Sequence, residues 1–198
     1  MSLIRALGVK YGANYEVIVT TIDPNRKPHA APMGIRIVND NLFFMRSYGE
    51  TRTLNNLRAV CQGFLNVVND VELFFHCLFN PSKLSFDWSM DYPIIKGASA
   101  WAHFKLVEIV EKEDYYEITC SLLGVRARRV RPRPLCRAES SLLESLIHYT
   151  RIKHYERLGR DDLVSKLRSL ALHHLDIVER TGWSKLKALA KALRKELT

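Results

Sequence analysis

The sequence predicts an α+β protein, mainly β with a helical C-terminal region, and three observations carry that. Up to about residue 120, runs rich in β-branched and aromatic residues alternate with turn residues. From Ser140 onward, apolar residues recur at helical spacing. Between the two lies an Arg/Pro segment, Leu123 to Arg137, with six arginines and no acid.

In chain order, Tyr15 to Ile22 is a β-branched run that reads as a strand, turned by Asp23-Pro24-Asn25. A second extended run covers His29 to Val38, and Asn39-Asp40-Asn41 turns into a third at Leu42 to Arg46. A short helix is expected over Leu54 to Val60, then a strand from Gly63 that ends in the polar pair Asn69-Asp70. Val71 to Phe79 is strongly apolar and fits a helix or a buried connection, broken by Asn80-Pro81. Phe86 to Pro93 reads as an aromatic loop. Two long strands are expected at Trp101 to Val110 and Tyr115 to Leu123, with Val107 and Ile109 alternating with Glu108 and Val110.

Three helices complete the chain. Leu142, Leu143, Leu146, Ile147 and Thr150 share a face of the first. Asp161 and Asp162 suit the start of the second, whose apolar face is Leu163, Leu167, Leu170, Ala171, His174 and Val178. Thr181-Gly182 ends it, and Ser184 opens a third with Leu186, Leu189, Ala190, Leu193 and Leu197 on one side and lysines on the other. That cationic, amphipathic helix suits a membrane surface. It suits still better a terminal helix packed on the other two.

Length and composition bound the rest. With 198 residues and 47% apolar content, the chain can bury a substantial core in one domain plus an appendage. No apolar run approaches the ~20 residues of a membrane helix, and the first residues are too quickly polar for a signal peptide. Cys61, Cys77, Cys120 and Cys136 show no CxxC spacing, which argues for isolated thiols in a reducing cytoplasm and against zinc. The net charge of +9 concentrates in the arginine segment. Such a segment binds polyanions, blocks a strand edge, or pairs with the acids Glu108, Glu111, Glu113, Asp114 and Glu117 before it. Residues 124–137 hold no aromatic side chain for base stacking, which disfavours nucleic acid.

The decapeptide Tyr48-Gly49-Glu50-Thr51-Arg52-Thr53-Leu54-Asn55-Asn56-Leu57 is the most informative stretch. A strand, a glycine turn and a helix start leave backbone N–H groups pointing outward, and two threonines, an arginine and an asparagine crowd that turn. These groups hold a phosphate: helix N-terminal donors plus one fixed positive charge. An ordinary N-cap, with Thr51 or Thr53 capping and Arg52 in solvent, fits the same residues. No nucleophile elbow, HExxH, GxGxxG or Walker A segment is present. His76 fits a packed core histidine, and the neighbours His173 and His174 point about 100° apart, so no metal is expected.

The ordered set Thr20-Thr21, Ala31-Pro32-Met33-Gly34, Gly49-Glu50-Thr51-Arg52-Thr53-x-x-Asn56-Leu57 and Asn66-Val67-Val68-Asn69-Asp70 resembles a known family. It is an uncharacterised, mainly archaeal family of the flavin-reductase-like, FMN-binding split-barrel group, and the likeness spans roughly residues 14 to 155. The resemblance implies a six-stranded Greek-key split β-barrel over residues 1–137, followed by a helical appendage over 138–198. It implies FMN as cofactor, a homodimer, and a redox reaction in which the flavin does the electron transfer and a nicotinamide or small molecule donates electrons. Thr51, Arg52, Thr53 and Asn56 would be the phosphate and ribityl contacts, with capping the rival role for Asn56. Ala31, Pro32, Met33 and Gly34 would line the ring, with core filling the rival role for Met33. Thr20 and Thr21 would reach the pyrimidine edge, Arg46 and Tyr48 would precede the phosphate turn, and Asn69 would close the list. Arg151 would hold the cofactor or the dimer, or would simply contact Glu144. The rival functions are a nucleic-acid-binding protein using segment 126–137 and a flavin carrier without turnover.

Overall fold

The structure is a computed structural model that describes residues 14–128 and 137–197. The described residues divide into two compact units, residues 14–69 with 76–128, and residues 70–75 with 137–197.

The first unit is a closed antiparallel barrel. Its strands are β1 (Asn14–Ile22), β2 (Pro28–Ile37), β3 (Leu42–Ser47), β4 (Gln62–Val67), β7 (Ala100–Glu111) and β8 (Tyr116–Ala127), with β5 (Phe86–Ser89) and β6 (Tyr92–Ile95) forming a separate hairpin. Around the barrel the order is β1-β2-β3-β8-β7-β4, and β4 returns to pair with β1. The chain therefore crosses from β3 to β4 without pairing them, which makes the topology a Greek key. Helix α1 (Arg52–Val60) occupies that crossover. Inward side chains such as Val17, Val19, Ile35, Phe43, Met45, Leu65, Phe104 and Ile118 fill the barrel, and Leu54 and Leu57 of α1 join them. At the end of α1, Cys61 takes the left-handed conformation (φ 59°) that usually falls to glycine, and its N–H bonds the Leu57 carbonyl.

One seam is incomplete. β1 pairs with β2 along its whole length, but β3 meets β2 only from Ile35 to Ile37. From Pro28 to Gly34, β2 has no strand on its second edge among the described residues. Its outward N–H and C=O groups are left available there, save that Pro28 and Pro32 have no N–H. This gap splits the barrel.

The expected aromatic loop is instead the β5–β6 hairpin, with Phe86 opposite Ile95 and Ser89 opposite Tyr92. Its two-residue turn, Met90-Asp91, has positive φ at both positions (50° and 65°). The turn lacks the usual Asn-Gly signal, and Pro93 argues against a strand, so the sequence hid it. Asn66 anchors this hairpin. Fully buried, it donates to the Ile18 carbonyl and the Thr20 hydroxyl, both at 3.0 Å, and accepts from the Ile95 N–H at 2.9 Å. Gly63 of β4 is required by close packing. A Cβ there would lie 2.7 Å from the Thr20 carbonyl oxygen and 2.8 Å from the Phe104 ring.

β7 and β8 run longer than the sequence suggested, and a bulge between Leu106 and Glu108 breaks the expected alternation, leaving Val107 exposed. Helix α2 (Val71–Phe79) is a true helix, with the Asp70 carboxylate accepting from the Glu72 N–H.

In the second unit, α3 (Arg137–Arg157), α4 (Asp161–Thr181) and α5 (Ser184–Leu197) pack together. The helical region thus begins at Arg137, three residues before Ser140. On α3 the buried face carries Ala138, Ser141 and Ser145 beside Leu142 and Leu146, whereas Thr150 is exposed. Small residues allow close approach, and the Ser145 hydroxyl donates to the Ala171 carbonyl of α4 at 3.1 Å. On α4 the buried residues are Val164, Ala171, Leu175 and Val178, so the face is rotated from the expected one and Leu170 is exposed. The α5 face is as read for Leu186, Ala190, Leu193 and Leu197. Arg194 ties α5 to Asp176 and Glu179 of α4 at 2.7 and 3.1 Å.

Candidate functional site

The turn between β3 and α1 is built by hydroxyl groups. Gly49 adopts φ +81°, which lets the chain leave β3 and enter the helix within four residues. The Thr51 hydroxyl accepts from the Leu54 N–H at 3.2 Å and shares a 2.7 Å hydrogen bond with Ser47. Of the two capping options, Thr51 is therefore the N-cap. The first i→i−4 bond runs from the Asn55 N–H to the Thr51 carbonyl, so the Arg52 and Thr53 amides have no partner within the helix.

Thr53 is the unusual residue. It is 1% exposed, and its hydroxyl has no hydrogen-bond partner among the described residues. Buried polar groups are almost always satisfied, so an orphan at a helix N-terminus is a candidate contact for a polar ligand. Beside it, the half-exposed Arg52 reaches Asp23 only at 3.7 Å, a loose contact that leaves its fork of donors usable.

On the neighbouring strands, Thr21 lies opposite His29 in the β1–β2 register, so both side chains share a face. The Thr21 hydroxyl accepts from Asn56 Nδ2 of α1 at 2.9 Å. Burial, and then the nearby Arg52 guanidinium, push the His29 imidazole down to about 4. Arg52, Thr53, Asn56, Thr21 and His29 thus converge where β1 ends and α1 begins. Further along the split edge lie Ala31, Pro32 and Met33, half-buried, and Gly34, exposed. Met33 packs on the barrel core.

Other expected site residues are placed elsewhere. Successive strand residues face opposite ways, so Thr20 points away from Thr21, and its hydroxyl donates to the Pro93 carbonyl of the hairpin. Arg46 lies over the Tyr115 ring at 4.7 Å, and Tyr48 stands 6.0 Å from the same ring. Both lie on the β3–β8 side of the turn. β4 runs antiparallel to β1 with Asn66 opposite Ile18. The chain therefore reaches the exposed Asn69 at the end of the barrel away from Thr21. Sequence reading missed His29 as a site residue and Asn66 as the polar anchor. The register that brings His29 opposite Thr21 was the only signal for the first.

Of the arginine segment, Arg129 to Cys136 lie outside the described residues. Arg128 pairs with Asp87 at 2.7 Å and lies over the Trp101 ring at 5.1 Å. The β7–β8 hairpin puts Arg126 opposite Trp101 and Glu111 opposite Tyr116, some ten residues or about 30 Å apart. Pairing with the acidic turn is therefore excluded for Arg126 and Arg128. Among the described residues no three His, Cys, Asp or Glu side chains are grouped to hold a metal ion. His174 meets His148 of α3 with ring centroids 5.7 Å apart, while His173 faces solvent. Burial pushes the Cys77 thiol up to about 12. No described helix is long and apolar enough to cross a membrane.

A Greek-key barrel opened along one seam, with a helix N-terminus at the opening, defines a split-barrel protein of flavin-reductase-like fold. The family model described as "Protein of unknown function (DUF447) N-terminal domain" matches residues 15–129, and "Protein of unknown function (DUF447)" matches 136–195. The chain belongs to this DUF447 family. Among solved structures it is similar to an FMN-bound DUF447 protein from Methanosarcina mazei, at 23% identity and TM-score 0.76, covering 98% of this chain and 100% of that one. A putative flavin reductase with a split-barrel domain from Shewanella frigidimarina shares 14% identity, with TM-score 0.54 over 65% of this chain and 75% of that one. An FMN-binding protein from Thermus thermophilus, with bound p-hydroxybenzaldehyde, is 14% identical, with TM-score 0.53 over 60% and 76% of the two chains.

Proposed function

We propose that this protein binds FMN at the start of α1 and acts as a redox flavoprotein of flavin-reductase-like type. The observation that carries the reading is the buried, unpartnered Thr53 hydroxyl beside the loosely paired Arg52. A phosphate monoester satisfies both, since it accepts from a hydroxyl, a guanidinium and free helix amides together. The FMN-bound relative of the same family, which this chain matches along its length, supports the choice of cofactor.

In this reading Arg52, Thr53 and the first amides of α1 hold the phosphate, and Asn56 orients the Thr21 hydroxyl at its side. The unpaired edge of β2 from Ala31 to Gly34 supplies backbone donors and acceptors to the polar edge of a flat ring. Bound FMN supplies one- and two-electron transfer, for which the protein need offer no acid or base. The barrel's contribution is orientation and exclusion of water.

The reading extends to a cytoplasmic homodimer with residues 1–137 as the FMN-binding domain and a nicotinamide or small molecule as electron donor. The deciding experiment adds FMN, FAD and riboflavin to the purified protein and follows flavin absorption and fluorescence. Retention of FMN over riboflavin and FAD is expected, because the site offers one phosphate position and no adenosine fingerprint. Equal retention of riboflavin and FMN refutes it. Flavin bleaching by a nicotinamide donor, followed by reoxidation with turnover, separates an enzyme from a carrier.

A further inference from the structure

His29 has no place in the reading above, yet it stands in the same cluster. It begins β2 opposite Thr21, whose hydroxyl holds Asn56 of α1, and it lies close enough to Arg52 to feel its charge. The other charged groups at this end are Asp23, which contacts Arg52 at 3.7 Å and accepts from the Lys27 N–H at 2.8 Å, the exposed Lys27, and the exposed Arg26, which pairs with Asp91 of the β5–β6 turn at 3.4 Å. With burial and Arg52 both opposing its charge, the imidazole is neutral at physiological pH.

A phosphate dianion beside Arg52 reverses that balance. Two negative charges outweigh the single guanidinium and offer the imidazolium a charge-assisted hydrogen bond. We propose that His29 is a phosphate-binding residue of this site, neutral while the site is open, which takes one proton from solvent as a phosphate dianion seats beside Arg52. The inference rests on the proposed FMN site and adds to it a ligand and a proton. The balance is simple: imidazole plus one proton gives imidazolium, and no covalent bond in the flavin changes. Phosphate monoesters lose their second proton near pH 6, so above about pH 7 the ligand brings none and the proton must come from water or buffer.

The test is calorimetry of FMN binding to the full-length protein at pH 7.5 in buffers of different ionisation enthalpy, with riboflavin as the probe lacking phosphate. The parent is expected to take up close to one proton per FMN and none with riboflavin. Its FMN affinity should fall up to about tenfold per pH unit above pH 7. His29→Gln keeps an N–H donor but cannot be protonated, so uptake and the pH slope should both vanish. Its FMN affinity at pH 7 should drop by roughly tenfold. Binding of FMN without proton uptake, or uptake that persists in His29→Gln, overturns the role of His29 while leaving the FMN site standing. Failure of FMN to bind at all removes both.

Discussion

Thr53→Val should move stability and affinity in opposite directions. The hydroxyl is 1% exposed and unpartnered, so the protein without ligand bears its desolvation cost. That penalty is about 1–3 kcal/mol for a hydroxyl. Valine keeps the branched shape, and its helix propensity is close to that of threonine, so little else changes. The unliganded variant should gain about 1–2 kcal/mol, read as a higher urea midpoint at unchanged slope. Loss of one hydrogen bond to a phosphate weakens FMN binding by about 1.4 kcal/mol or somewhat more, roughly tenfold. Riboflavin binding should barely change. A variant that is less stable and binds FMN as the parent does would show that the hydroxyl serves the fold, and the argument from the orphan group would fail.

Arg52→Ala should weaken FMN binding by roughly ten- to a hundredfold with the fold intact, since its Asp23 contact is long and half-exposed and charged hydrogen bonds contribute roughly 1.5–3 kcal/mol. Fluorescence titration with FMN and riboflavin checks this, and unchanged FMN affinity makes Arg52 a mere helix-start residue. Gly63→Ala drives a Cβ into the Thr20 carbonyl at 2.7 Å, and should cost about 1–3 kcal/mol in urea unfolding. His29 binds a proton less readily in the folded protein, about 4 against 6.5. The unfolded chain therefore takes up more protons as pH falls through that window, and stability of the unliganded protein declines from pH 6.5 to 4. His29→Gln should flatten part of that decline in pH-resolved unfolding, and an identical profile would contradict a buried neutral imidazole. Light scattering should give about twice the 22.9 kDa chain mass; a strict monomer at micromolar concentration contradicts the proposed homodimer.

The sequence by itself determined the element types wherever periodicity was strong. β-branched runs bounded by Asp23-Pro24-Asn25 and Asn39-Asp40-Asn41 became β1 to β3, and Asp161 and Gly182 mark the limits of α4. It also determined the chemistry of the α1 start, because a Thr-Arg-Thr turn after a glycine is written in contiguous residues. Register and burial were decided only by the tertiary structure. Thr20 and Thr21 are neighbours in the chain, yet strand alternation sends one to the hairpin and the other to α1. Local sequence is silent on which threonine faces which way, since the barrel's closure fixes it. The same holds for His29, which enters the site through antiparallel pairing with a residue eight positions away. The β5–β6 hairpin is tied to β1 by Asn66, a single buried side chain that bonds groups of both. Such long-range hydrogen bonds leave no periodic trace, whereas burial of a strand face or helix stripe does.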